Sequence, residues 1–525
     1  MDTQKIKALI IGVLATFAAL YLGISAATAQ FETIAWVIGG LTLTICLFLG
    51  RRIWLILPFM QALSIQLRVP GQPNTLLIAE LLILGFGTLL FLMRRLPYRF
   101  AMTELECWII LITLFVVQVY IRNPTGLNLF GGNTVGGKPY ALLMIHLATA
   151  LILTGLVAQE HDLKWILRLS ILGGLANLGV ATLGRLFPVV GFYTGATFDR
   201  TDQTNYEGFG NTVDEKAATR IGSLTEFGIS ASLWISVFIS PLRAIFKPFW
   251  AVLILTVIIA AMLGGYRNGI AIVGLNLICG IAYRSGAGGV FISAVAGAAG
   301  IAVIALVNML YPLPPNLQRS MSFLPGTWEQ RYIDDAAGST EWRVEIWKEA
   351  LLTNRWIKNK WLGDGLGFSA TELAAQMNYR QGSRAGISGF EAHRESVLAN
   401  GDYHSGPVSV IRTIGYVGLF FLVIAQIRLA MRAHRQIVRC KGTPWFPLAL
   451  FVGIPLIWNP FFFVCVFGAF DTAIATFFLG IGMVRLLENN LPLPAYGKRG
   501  LVQTPPVSAL GARPQGALAF GRAGH

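Results

Sequence analysis

An all-α, multi-pass transmembrane bundle of about 12–14 helices is the fold this sequence predicts. Three observations carry that expectation. Hydrophobic residues make up 54% of the 525-residue chain and charged residues only 13%, with a mean hydropathy of +0.62; soluble domains carry about a quarter charged residues. The apolar residues collect into runs long enough to cross a bilayer, which takes about 20 residues in a helix. The basic residues collect on alternate loops between those runs.

Taken in order, the apolar runs are 6–29, 33–50, 53–67, 75–93, 105–121, 139–158, 165–187, 225–243, 248–264, 268–283, 287–311, 407–427, 446–464 and 469–487. They make roughly fourteen candidate spans, of which 53–67 and 268–283 are the weakest and would also suit re-entrant or tilted segments. N-terminal transmembrane helices therefore occupy 1–187, and a central transmembrane region with an outside loop occupies 188–311. A large outside loop fills 312–406, C-terminal transmembrane helices fill 407–487, and the tail 488–525, rich in Pro, Gly and Ala, reads as disordered. In the large loop, "STEWRVEIWKEALL" sets Trp342, Ile346 and Ala350, with Trp347 and Leu351, at helical spacing. Ser339 or Thr340 can cap such a helix and Glu341 favours its first turn. An amphipathic helix on or near the outer membrane surface is expected.

A net charge of +15 would suggest nucleic acid in a soluble protein. Here its distribution is topological. Lys5 and Lys7, Arg51 and Arg52, Arg94, Arg95 and Arg99, Arg243 and Lys247, and Arg428, Arg432, Arg435, Arg439 and Lys441 fall on alternate loops. The positive-inside pattern puts the N-terminus in the cytoplasm, and an even number of spans returns the C-terminus there. No nucleic acid is expected. Cys46, Cys107, Cys279 and Cys465 lie in apolar runs and Cys440 in a cytoplasmic loop, so no disulfide framework is read. The first apolar run is too long for the core of a cleavable signal.

Ionisable residues in or beside spans are costly in lipid and point to function. With this topology Glu80, Arg185, Glu226, Arg267, Arg412 and Asp471 fall near the outer ends of their spans, with His404 at the same level. A border charge can simply snorkel. Six gathered on one side, with the opposite halves of the spans nearly bare, mark that side as the working face. A transporter needs polar groups at the midplane and a route to both sides.

The chemistry-bearing stretches are "RIGSLTEFGISASLWI" (220–235), "GGYRNGIAIVGLNLI" (264–278), "STEWRVEIWKEAL" (339–351), "WLGDGLG" (361–367) and "GDYHSGPVSVIRTIGYVGLFFLV" (401–423). In order and topology, over about residues 215–425, the chain resembles the O-antigen ligase and polymerase superfamily of bacterial inner-membrane enzymes. It departs from that pattern at His404-Ser405, where the family has His-Asn, and at Tyr266-Arg267-Asn268-Gly269, where it has Ser-Arg-Gly.

The resemblance implies glycan transfer from a polyprenyl-diphosphate carrier to an acceptor hydroxyl at the outer face of the membrane. A glycolipid, a glycan and a protein all stay open as the acceptor. Guanidinium groups suit a diphosphate, because each stays charged and grips two oxygens at once; Arg220, Arg267 and Arg343 are the candidates. Arg343 shares a helix face with Trp347, an arrangement suited to a sugar ring or a lipid headgroup, and Arg412 is a second candidate for acceptor or lipid contact. The acceptor hydroxyl must lose a proton as it attacks, and His404 is the expected base. Pro407 suits a first helical turn, and the positive end of that helix disfavours imidazolium. Asp402 and Glu226 could orient or replace the base, and His393 is a weaker rival. Asp334-Asp335 is the only paired carboxylate in the large loop, and no His, Cys or Asp cluster has metal-ligand spacing, so neither metal nor cofactor is expected. No phosphate-binding glycine loop or dinucleotide fingerprint appears in any cytoplasmic segment. A transporter of lipid-linked sugars or polysaccharide is the rival reading.

Overall fold

The computed structural model describes residues 31–67, 72–126, 136–194, 221–367, 389–401 and 403–491. The expected span 6–29 and the tail from 492 lie outside the described residues. Every other expected span is helical. The chain runs through α1 (Phe31–Leu49), a 3-10 stretch (Gly50–Leu55), α2 (Ile56–Leu63), α3 (Thr75–Leu92), α4 (Glu104–Arg122), α5 (Lys138–Gly155) and α6 (Glu160–Leu186). It continues through α7 (Pro188–Thr194), α8 (Gly222–Phe238), α9 (Pro241–Ala244), α10 (Pro248–Leu263), α11 (Arg267–Leu310) and α12 (Pro315–Met321). The remainder is α13 (Gln330–Leu352), α14 (Gly389–Asn400), α15 (Gly406–Cys440), α16 (Phe446–Cys465) and α17 (Phe470–Asn490). Nine helices among the described residues are long and apolar enough to cross a membrane. The chain is an all-α, multi-pass membrane protein.

Local chemistry sets the helix starts. The Asn74 side chain accepts from the Leu77 amide at 2.7 Å to open α3, and Thr103 with Glu106 forms a capping box at the start of α4, each satisfying amides that the first turn leaves over. The runs 268–283 and 287–311 form one continuous element, α11, broken at Gly286 in a left-handed conformation (φ 72°, ψ −169°). The chain folds back there. A Cβ on Gly289 would lie 3.1 Å from Ile281, whereas eight residues along a straight helix span about 12 Å. Arg284 closes the turn, donating to the carbonyls of Ser236 and Val237.

The core is built from α4, α5, α15, α16 and α17, whose buried faces include Ile112, Val119, Ala150, Ile414, Leu422, Phe477 and Phe478. A second region joins α8, α10 and α11. A polar node fastens it: Asn276 donates to the Ile229 carbonyl (3.2 Å) and to Ser232 (3.0 Å), and accepts from the Trp458 indole of α16 (3.0 Å). Interhelical hydrogen bonds of this kind hold helices together where lipid supplies no hydrophobic drive.

Three expectations are corrected. The basic stretch after 427 is not a loop. It continues α15 to Cys440, because Leu429, Ala433, Gln436, Ile437 and Cys440 form a buried face, with arginines on the other side. The helix of the large loop begins at Gln330, well before Ser339 and Thr340, so neither caps it. Its apolar stripe packs within the protein: Ile346 and Ala350, with Trp342, Trp347 and Leu351, lie on Val397, Leu398, Tyr403, Val408 and Ile411. Finally, the spans are not bare at the end away from His404. Arg485, on α17, meets Glu106 of α4 at 2.7 Å and Glu488 at 3.0 Å, with the Arg485 and Glu106 side chains 6% and 1% exposed. Arg432 also meets Glu488, at 2.5 Å.

Candidate functional site around His404

The site forms where α15 begins. Gly406 opens that helix with Pro407 in its first turn, and His404 stands two residues before it in a left-handed conformation (φ 51°). Few side chains occupy this region, and histidine is among the more tolerant. The imidazole lies between two aromatic rings, Phe467 at 5.8 Å (stacked) and Trp342 at 6.2 Å (tilted). α13 thus brings one wall, and the turn between α16 and α17 brings the other.

The backbone around His404 is fastened from two sides. The Trp347 indole N–H donates to the Tyr403 carbonyl at 2.8 Å. Arg412, on the second turn of α15, donates to the Ala399 carbonyl at 3.1 Å, and its guanidinium fills the space beside Gly401, where a Cβ would overlap it. Trp347 and Arg412, expected to touch acceptor or lipid, therefore both hold the turn 399–404. Tyr403 is fully buried beneath it. Burial pushes its phenol above the usual tyrosine range, against an opposing pull from Arg412, so the group is a neutral packing element.

The remaining candidates are placed as follows. Arg343 follows Trp342 on α13 and is half-buried. Arg267 opens α11 and reaches the Arg319 carbonyl of α12 at 3.5 Å, and α12 packs on α13. Glu226 lies on α8 and accepts from the Asn177 side chain of α6 at 2.8 Å. Arg220 and Asp402 lie outside the described residues, as does the side chain of His393 on α14.

The "WLGDGLG" stretch has a structural role that spacing alone did not reveal. α15 is broken at Gly415 (φ 76°, ψ 178°), and the loop 357–367 repairs the break. Asp364 N donates to the Arg412 carbonyl (2.6 Å) and Gly365 N to the Thr413 carbonyl (3.1 Å). In return Tyr416 N donates to the Lys360 carbonyl (2.8 Å) and Val417 N to the Trp361 carbonyl (3.3 Å). An unwound turn in a membrane helix survives only where protein satisfies its backbone. Gly363, Gly365 and Gly367 all have positive φ, and a Cβ on Gly363 or Gly415 would run into the opposite backbone. The loop is clamped by Arg122, which donates to the Leu362 (3.0 Å) and Gly363 (2.8 Å) carbonyls, and by Tyr140, whose hydroxyl accepts from Leu366 N (2.8 Å).

A second ionisable pair was not foreseen. Glu80, expected near an outer end, lies about a turn and a half inside α3, fully buried, and meets His146 Nδ1 of α5 at 2.7 Å. His146 had drawn no attention in the sequence, because a single histidine in an apolar run gives no sign of which neighbour it faces. Compared with known families and characterised proteins, the chain matches no family model and shows no significant similarity to a curated protein.

Proposed function

We propose that this chain is a membrane glycosyltransferase of the O-antigen ligase type in a bacterial inner membrane, with its termini cytoplasmic and His404 on the periplasmic side. It moves a glycan from a polyprenyl-diphosphate carrier to an acceptor hydroxyl. One observation carries the reading: His404 is held in a left-handed turn at the mouth of a membrane helix, between two aromatic rings. An imidazole so placed is suited to take the acceptor proton, and the Trp342 and Phe467 rings offer faces on which sugar rings can rest. Arg267 and Arg343, with Arg220, then serve the diphosphate leaving group. The test is transfer from lipid-linked donor by purified His404→Ala protein. Turnover should fall by about 10²–10⁴-fold with donor binding kept, and unchanged turnover would remove His404 from the chemistry.

The transporter reading has one observation in its favour, the buried Glu80–His146 pair, since ionisable groups within a span often serve transport. Proteoliposomes loaded with lipid-linked glycan separate the two. Movement of donor between leaflets without product would favour transport; product without movement favours transfer.

A further inference from the structure

At the end of the bundle away from His404, α4 and α15 form a shallow cleft open to solvent, with enclosed room for about one water molecule. Arg428, Arg432 and Arg435 line it together with Thr103, Glu104 and Met431. The three guanidiniums are not equally engaged. Arg432 is committed to Glu488 at 2.5 Å, whereas Arg428 reaches the exposed Glu104 only at 3.5 Å. Arg435 is exposed and makes no ion pair or side-chain hydrogen bond among the described residues. The unbroken α4 measures the distance: Arg122 at one end holds the loop that is bonded to Thr413, and Glu104 at the other end lies 18 residues away, about 27 Å along the helix, close to the hydrocarbon thickness of a bilayer. The cleft therefore lies at the level of the opposite headgroup layer.

A second feature adjoins it. The same two helices carry exposed apolar side chains beside it: Met431 within the cleft, and Ile427 and Phe420 on α15 with Leu114 on α4 on the side toward His404. Phe115 and Phe421 stack between the helices at 5.6 Å. Cationic groups at headgroup level below a lipid-facing apolar surface match one chemistry, a phosphate on a hydrocarbon tail, and basic pockets between membrane helices are known lipid sites.

We propose that an anionic phospholipid binds between α4 and α15, its headgroup phosphate held by Arg428 and Arg435 and its acyl chains lying along Met431, Ile427 and Phe420. The proposal is independent of the glycosyltransferase reading and extends to whatever reaction the chain performs. General attraction of basic residues to an acidic surface would favour no particular arginine. The site makes the opposite demand.

The test titrates full-length protein in detergent with phosphatidylglycerol and with phosphatidylcholine, counting bound lipid by native mass spectrometry. The wild type should hold phosphatidylglycerol in preference. Arg435→Gln removes no ion pair or side-chain hydrogen bond among the described residues and should weaken that preference roughly fivefold, and Arg428→Gln with Arg435→Gln roughly thirtyfold. Arg168→Gln, at an exposed position on α6, should leave it unchanged. Equal binding of the two lipids, or equal loss in Arg168→Gln, would overturn the proposal. Inorganic phosphate that displaces the lipid and itself binds as tightly would reassign the cleft to a free anion.

Discussion

At the scale of single residues, the His404 turn shows how a catalytic candidate is held by groups that do no chemistry. Trp347 gives one hydrogen bond to the Tyr403 carbonyl, and Trp347→Phe keeps the ring while losing the donor. A net hydrogen bond contributes about 0.5–1.5 kcal/mol. Turnover on lipid-linked donor should fall roughly two- to tenfold, with the donor KM unchanged if, as proposed, Arg267 and Arg343 hold the diphosphate; a raised KM instead would make Trp347 a ligand contact. Arg267→Lys keeps charge and loses the planar fork, so donor KM should rise, and an unaltered donor KM would remove Arg267 from the diphosphate site. His404 itself was legible, since a histidine before a Pro-started apolar run announces its place. Its left-handed backbone and its two ring neighbours were not, because Trp342 and Phe467 come from segments far away in sequence. Glu80 was legible as an oddity only; its partner His146 appears when α3 and α5 pack.

At the scale of elements, the spans were readable because their length and apolarity are one-dimensional properties. The break in α15 was not. A glycine inside "RTIGYVGLFF" looks like any other in a membrane helix, and the loop that completes the backbone lies some fifty residues earlier. Gly415→Ala puts a side chain in a left-handed conformation, at roughly 1–3 kcal/mol, and against the Trp361 carbonyl. The variant should unfold at lower temperature in detergent, and protease should cut within 357–367 where the wild type resists. A loop equally protected in the variant would mean that the docking does not depend on the glycine. The corrected boundaries have the same physical origin: Cys440 ends a helix rather than sitting in a loop because α16 covers the apolar side of residues 429–440.

At the scale of the whole molecule, the two ends of the bundle are held by different chemistry. The His404 end relies on backbone exchange and aromatic packing, and the other end on a charge network whose centre, Arg485 and Glu106, is withdrawn from solvent. Removing one member of such a buried pair is costlier than removing both. Arg485→Ala should lower stability by about 3–5 kcal/mol, and Glu106→Leu with Arg485→Met should restore most of it. Thermal unfolding of the single and double variants decides, and a double variant as weak as the single would deny the pairing its role. Composition announced the multi-pass class but not this network, since Glu106 and Arg485 are nearly four hundred residues apart and each reads as an ordinary residue at the border of a span.

The repaired break in α15 also bears on how the chain is made. Emerging from the ribosome, the segment 406–440 carries two carbonyls and two amides that its own helix cannot satisfy, each costing about 1–3 kcal/mol if buried alone. The groups that satisfy them, on 360–365, are synthesised earlier, and the clamp at Arg122 earlier still. Insertion of α15 is therefore not an independent event. The segment should pause at the insertion machinery or remain interfacial until the older loop captures it. A chain lacking 357–367 would leave that span half-inserted, a foothold for quality-control proteolysis.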